Sequence, residues 1–346
     1  MNNNNSNECL NVESDQKSQH LNPIKHPQQD LFIADIFDAI SLQLDMASME
    51  YPLFALKAGN KATRRYTQKN FSVVIAPSAE YGMATIHDKD IWIYCISKLM
   101  QAIRENQPIS RIVRFTIYDY LKTTNRGVSG EYYEKAKNAL DRLRSTTITT
   151  NIETDDRRES RGFGLIDAWS VVEEKDGRMI RVEVTLPKWL YRSIESKTLL
   201  TLSPDYFRLR KPLDRRIYEL ARKHCGNNQS WKFDLNTLLE RSGSTASMKE
   251  FRKAIKSLAE SNQLPDYCVE FDGKKNQVTF IRRISLKDLT EEIKLEAKES
   301  KPKPKRKRIT EYEAGKLARP GEEWPELLKR IGSEYHVIFD QNSEYQ

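Results

Sequence analysis

The sequence predicts an α+β fold: two tandem copies of one unit, a helix-turn-helix followed by a β-hairpin, set between flexible termini. Three observations carry that expectation. Arg114–Leu140 aligns on Lys232–Leu258 without a gap, positions 114 and 232 giving an offset of 118. In both stretches a short extended segment leads into two amphipathic helices joined by a polar turn. Each is followed by two strand-like segments flanking a turn, Lys175-Asp176-Gly177 in the first copy and Asp272–Asn276 in the second.

The alignment keeps residue size at apolar positions. Phe115 meets Phe233, Ile117 meets Leu235, Leu121 meets Leu239, Tyr133 meets Phe251, Ala136 meets Ala254 and Leu140 meets Leu258. Arg114 meets Lys232, and Lys135 meets Lys253, so a basic residue recurs as well. A repeat of this length points to one structural unit used twice. A helix-turn-helix with a hairpin after it has the order of a winged helix, whose second helix can enter a DNA major groove.

Residues 1–29, rich in Asn, Gln and Ser, are expected to be disordered. Residues 30–50 hold an acidic amphipathic helix at Asp30–Met46, with Leu31, Ile33, Ile36, Phe37, Ile40 and Leu44 at helical spacing. The first domain is placed at 51–198. It opens on Tyr51–Lys57 and a basic run (Lys57, Lys61, Arg64, Arg65), followed by a strand at Phe71–Ile75. A buried helix then starts at Asp88, taken as its N-cap, with apolar positions Ile91, Trp92, Cys95, Ile96 and Leu99. After the first helix-turn-helix, Ser145–Ile152 reads as a strand and Leu165–Glu174 with Arg178–Leu186 as the hairpin. Pro187–Ser196 closes the domain as a helix.

The second domain, 199–284, begins with a helix capped at Ser203-Pro204-Asp205 and running to about His224. Its hairpin is Tyr267–Phe271 and Gln277–Arg283. Residues 285–346 read as a charged linker and an acidic tail, with a charged helix at Lys287–Lys298, the basic run Lys301–Arg308, and no clear fold around Trp324 and Tyr335.

A 346-residue chain that is 38% hydrophobic and 9% aromatic can form two ordinary cores. A charged fraction of 31% and a mean hydropathy of −0.71 leave room for disordered ends. No apolar run approaches the roughly 18 residues that span a bilayer, and no signal pattern opens the chain, so no membrane role and a cytoplasmic location are expected. Cys9, Cys95, Cys225 and Cys268 form no CxxC pair and read as free thiols. The five histidines show no metal-ligand spacing, so neither a zinc site nor any other cofactor is expected. Net charge is +8, and it is uneven: residues 203–283 hold 17 basic and 10 acidic side chains, net +7, whereas 309–346 carry 4 and 8, net −4. A basic focus around the second helix-turn-helix is the electrostatic footprint of a nucleic-acid binder.

The chain resembles the plasmid replication initiator protein A family, a relative of plasmid initiators with tandem winged helices. The resemblance rests on Glu80–Asp90 (EYGMATIHDKD) running into IWIYCISKLM, on PLFALK, on LPKWLYRSIES, and on TLSPDYFRLRKPLDRRIYELARKHCG followed by W-x-F and RSGST. It covers roughly residues 50–283. It implies binding to repeated sequences (iterons) in double-stranded DNA at a plasmid origin. It further implies melting of adjacent AT-rich DNA, recruitment of the host initiator and the replicative helicase, repression of its own gene, and a shift between dimer and monomer.

Helical geometry selects the contact residues. With Phe251, Ala254, Ile255 and Leu258 facing inward, Lys249, Arg252, Lys253 and Lys256 face out. Ser244, Thr245 and Ser247 lie at the turn and first turn, where hydroxyls and backbone N–H groups meet phosphate. The fork of Arg252 suits a guanine edge and the lysines suit phosphates. Lys274 and Lys275 sit at the tip of the second hairpin. In the first copy Lys135, Asn138 and Arg142 are expected to face out, with Ser129 at the turn. Glu131, Glu134 and Asp141 dilute that helix, which leaves self-association open to it.

Other classes remain as alternatives. A tandem winged-helix transcriptional repressor shares the same chemistry, and an adaptor could use the acidic segments. A rolling-circle nicking enzyme needs closely spaced histidines, yet no H-x-H occurs; an ATP-driven helicase needs a G-x-x-x-x-G-K-[ST] loop, which is also missing. A non-enzymatic DNA-binding initiator is the leading expectation.

Overall fold

The computed structural model describes residues 21–26, 31–34, 52–68, 71–153, 158–173, 179–196, 199–226, 228–283, 307–332 and 334–338. The chain divides into two compact units, Met1–Arg283 and Ile284–Gln346.

In the larger unit the order is β1 (Leu31–Ala34), β2 (Arg64–Gln68), β3 (Phe71–Ala76), α1 (Lys89–Arg104), β4 (Ile112–Phe115), α2 (Ile117–Thr123) and α3 (Gly130–Ser145). There follow β5 (Thr147–Glu153), β6 (Arg158–Gly164), β7 (Ala168–Glu173), β8 (Met179–Thr185) and α4 (Lys188–Glu195). After β9 (Leu199–Leu202) and a 3-10 turn at Pro204–Arg208 come α5 (Pro212–His224), β10 (Ser230–Asp234), α6 (Leu235–Ser242), α7 (Met248–Ser261), β11 (Tyr267–Asp272) and β12 (Gln277–Arg282).

The repeat survives folding. β4 and β10 start at 112 and 230, α2 and α6 at 117 and 235, α3 and α7 at 130 and 248, the same offset of 118 each time. The sheets correspond too: β8 lies between β4 and β7 as β12 lies between β10 and β11, and every pairing is antiparallel. Both turns use a left-handed residue just past the first helix, Asn125 (φ 55°) and Gly243 (φ 68°), the two residue types that visit this region at least cost.

The first half carries an insertion. Between α3 and β7 the chain adds β5 and β6, which extend β2 and β3 into a four-stranded sheet ordered β2-β3-β5-β6. β2 and β6 carry polar residues where a half-buried strand would alternate, so neither shows in the sequence pattern. The turn expected at 175–177 lies outside the described residues, but β7 and β8 pair on either side of it.

Three further expectations change. The acidic helix does not begin at Leu31: Leu31–Ala34 is a strand, paired antiparallel with β9, and 35–50 lie outside the described residues. The helix capped at Ser203 is interrupted. Ser203 Oγ accepts from Asp205 N at the 3-10 turn, and α5 restarts at Pro212, which forces Lys211 into an extended conformation. The disorder expected to residue 29 does not hold for 21–26. Leu21 is buried, Asn22 N donates to Arg208 O at 2.9 Å, Lys25 N to Asn125 Oδ1 at 2.7 Å, and Asn125 Nδ2 to Pro23 O at 2.9 Å.

Two cores fill this unit, and α1 belongs to both. It is apolar nearly all round, the mark of a buried helix. Ile91, Trp92, Tyr94, Cys95 and Ile96 join the first core with Val113, Leu140 and Leu190. Ile93 points the other way, into the second core with Tyr206, Ile217, Leu235, Phe251 and Phe280.

The smaller unit is ordered where the sequence suggests no fold. β13 (Lys307–Thr310), α8 (Glu311–Gly315), α9 (Trp324–Ile331) and β14 (Tyr335–Ile338) pack Ala314, Leu327, Ile331 and Val337 together, and β13 pairs in parallel with β14. A parallel pair needs a long crossover, and α8 with α9 provides it. The expected helix at 287–298 and most of the 301–308 run lie outside the described residues.

Candidate nucleic-acid interface

Local chemistry fixes the second helix-turn-helix. Asp234 caps α6 by accepting from Asn236 N and Thr237 N. Ser247 and Glu250 form a reciprocal capping box at the start of α7, Ser247 Oγ accepting from Glu250 N and Ser247 N donating to Glu250 Oε2. Phe251, Ile255 and Leu258 are buried, which turns Lys249, Lys253 and Lys256 to solvent. Lys256 lies 3.8 Å from Glu260, an exposed pair of little energetic weight. Ala254, expected in the core, is half-buried.

Arg252 is half-buried and leans toward the hairpin, with Nη1 3.5 Å from Gly273 O. That contact brings the tip of the hairpin beside α7. At the tip Asp272 Oδ1 accepts from Lys274 N and Lys275 N, which hold its carboxyl below the usual range, while both lysine side chains stay exposed. Six of the predicted cations thus gather on α7 and one adjoining turn. The hydroxyls divide. Ser247 is committed to its capping box and Ser244 Oγ accepts from Ala246 N, whereas Thr245 is exposed.

The first helix-turn-helix differs. Ser129 precedes α3 with no capping bond from its side chain, and Asn138 is exposed. Lys135 pairs with Glu131 one turn away. Arg142, expected to face outward, turns inward: Nε and Nη2 donate to the two carboxylate oxygens of Asp88, each at 2.8 Å. A fork locked on a buried carboxylate is not available to DNA.

Asp88 therefore anchors α3 rather than capping α1, since its side chain makes no cap bond to that helix. The two residues after it do similar work. Asp90, fully buried, accepts from Arg215 Nη1 at 2.8 and 2.9 Å and from Arg126 Nη2 at 2.7 Å. Burial alone pushes its carboxyl up, but the two guanidinium groups outweigh burial and hold it below its ordinary value. Lys89 meets Glu219 at 2.9 Å, and Tyr206 OH donates to the same glutamate at 2.8 Å. The carbonyls of Phe207 and Leu209, left over by the break before α5, accept from Arg215. The run Asp88-Lys89-Asp90 thus ties α1, the α2–α3 turn and α3 to α5. Sequence reading missed this node because charges at a helix start normally face solvent. The signal available was their position directly before an unbroken apolar run.

Among the described residues no helix is long and apolar enough to cross a membrane, and no cluster suited to a metal ion is present.

Comparison with known proteins agrees with this architecture. Two crystal structures of RctB domains 2 and 3 are each 13% identical to this chain and cover 67% of it, with TM-scores of 0.50 and 0.48 over 94% and 95% of their own lengths. At that identity the likeness to the structure with the TM-score of 0.50 is one of fold. A protein of Wigglesworthia glossinidia brevipalpis named "Putative replication protein" is 43% identical over 259 residues, 74% of this chain and 94% of the relative. The family model described as replication initiator protein A matches residues 43–269, which takes in both helix-turn-helix units and the charged node between them, and the chain belongs to that family.

Proposed function

We propose that each helix-turn-helix with its hairpin is a winged helix, and that the protein binds repeated sites in plasmid origin DNA chiefly through the second one. The observation that carries this reading is the joint basic surface of α7 and the β11–β12 tip, which lie side by side with Arg252 Nη1 3.5 Å from Gly273 O. α7 lies in the major groove, with Arg252 at a guanine edge and Lys249, Lys253 and Lys256 beside phosphates. Lys274 and Lys275 reach the flanking backbone. The first unit contributes Ser129, Lys135 and Asn138, and its weaker charge suits self-association between dimer and monomer. Bound this way, the protein promotes origin opening and recruits the host initiator and the replicative helicase. It acts by binding and not by catalysis, which a supercoil-nicking assay with magnesium or manganese checks directly.

Titration of an origin duplex over a salt series tests the surface. Lys253→Ala weakens all sequences alike and lowers the slope of log K against log salt by about one. Arg252→Ala relaxes discrimination at one base position by about 1–3 kcal/mol. Unchanged slope and unchanged specificity in both variants would remove this face from the contact.

A further inference from the structure

We propose that a cleft between the N-terminal PLFALK segment and the second helix-turn-helix seats a sugar-phosphate unit of the bound DNA, with Lys57 and Lys211 neutralising its phosphate. This deepens the function proposed above and rests on it.

The cleft holds about 230 Å³, far more than the roughly 10–15 Å³ a single water needs. Its floor is apolar, from Leu56, Pro212, Leu213 and Ala246, and Lys57, Arg64 and Lys211 stand around it. Apolar floor and cationic surround match the two faces of a nucleic-acid backbone, a deoxyribose beside a phosphate. Asn60 and the turn Gly243–Ala246, which leads directly into α7, complete the lining. Thr245, the exposed hydroxyl of that turn, lines it as well. A strand whose bases are read by α7 has its backbone at the start of that helix, where the cleft lies.

The wall is stiff. Arg64 Nη1 donates to Pro52 O at 2.9 Å and to Phe54 O at 3.3 Å, and Nη2 donates to Gly243 O at 3.4 Å. These acceptors are neutral, so the guanidinium joins the segment to the turn and keeps its positive charge. A Cβ on Gly243 would sit 2.4 Å from Pro52 Cγ, which shows how closely the two chains approach. Lys57 and Lys211 are both exposed. Glu250, whose carboxyl is held low first by its bonds to Ser247 and also by the charge of Lys57, marks how near that lysine lies to α7. The same carboxylate is engaged in the capping box and does not close the cleft.

The test uses the full chain and an origin duplex. Lys57→Ala/Lys211→Ala is compared with the wild type and with Lys253→Ala, by salt-series titration and by phosphate-ethylation interference. The double variant is expected to lower the salt slope by about two. It should also lose interference at phosphates that Lys253→Ala leaves sensitive, with an unchanged melting temperature. Lys57→Arg/Lys211→Arg should restore the slope. An unchanged slope and interference pattern in the double variant, with a lowered slope in Lys253→Ala, overturns the cleft and leaves the DNA reading standing. No change in either variant overturns both. Saturable binding of a free nucleotide that Lys57→Ala abolishes, with DNA slopes unchanged, assigns the cleft to another phosphate source and also overturns the proposal.

Discussion

Asp90 is a carboxylate with no exposed surface, and its charge is tolerable only because two guanidinium groups surround it. Breaking a buried pair by removing one partner costs about 3–5 kcal/mol, because the remaining charge is stranded. Arg215→Met should therefore destabilise the protein by that amount in urea unfolding, and Asp90→Leu in the same chain should recover part of it. His87, next to this node, is held at about 4, first by burial and then by the charge of Arg215. Its ordinary value is 6.5. Below pH 6.5 the unfolded chain takes up the proton that the folded chain refuses. The stability tied to neutral His87 is thus complete above 6.5 and falls away as pH drops toward 4, by about 3 kcal/mol in all. His87→Gln should flatten the pH dependence of urea midpoints across that window. One sequence does not say which charges are buried, and the only hint of this node in it is a charged run placed directly before an apolar one.

The elements were more legible than the side chains. α1, α3, α6 and α7 follow from apolar spacing, and the ungapped repeat locates both helix-turn-helix units because a turn tolerates few insertions. What the pattern hid were segments whose partners lie far off in the chain. β1 pairs with β9 although Asp30–Met46 has helical periodicity, and residues 21–26 look like a polar tail yet bond to Asn125 and Arg208. Both turns are braced by upstream chain, the first by 21–26 and the second by Pro52 and Arg64. Substitutions at the paired left-handed residues should separate the two braces. Gly243→Ala combines a left-handed alanine with a clash on Pro52, so a loss of about 2 kcal/mol or more is expected in thermal melts. Asn125→Gly keeps the backbone at ease but deletes the bonds to Pro23 and Lys25. It should leave the melting temperature within a few degrees while speeding tryptic cleavage at Lys25.

Across the whole molecule, charge and the repeat gave the direction of the functional reading, while three-dimensional placement redistributed the residues. Of the 17 basic residues in 203–283, six lie on α7 and its hairpin tip. Arg142, expected to face outward from the first copy, is an internal anchor, and Lys57, which read only as part of a basic run, lines a cleft with the turn that leads into α7. The excess charge of 203–283 also includes Arg215, spent on the buried node, so net charge overstates what is left for a polyanion.

Ile93 is lodged among side chains of the second core while its neighbours on the same helix serve the first. A calorimeter should accordingly record a single endotherm for residues 21–283, with no separate peak for either half. A polypeptide starting at Leu199 lacks that isoleucine, the Asp90 that pairs with Arg215 and the Lys89 that pairs with Glu219, and it should remain unfolded by itself. Mixed with the complementary 1–198 piece, it should recover cooperative melting. With one helix serving both cores, neither copy is a self-contained module that could be exchanged for another.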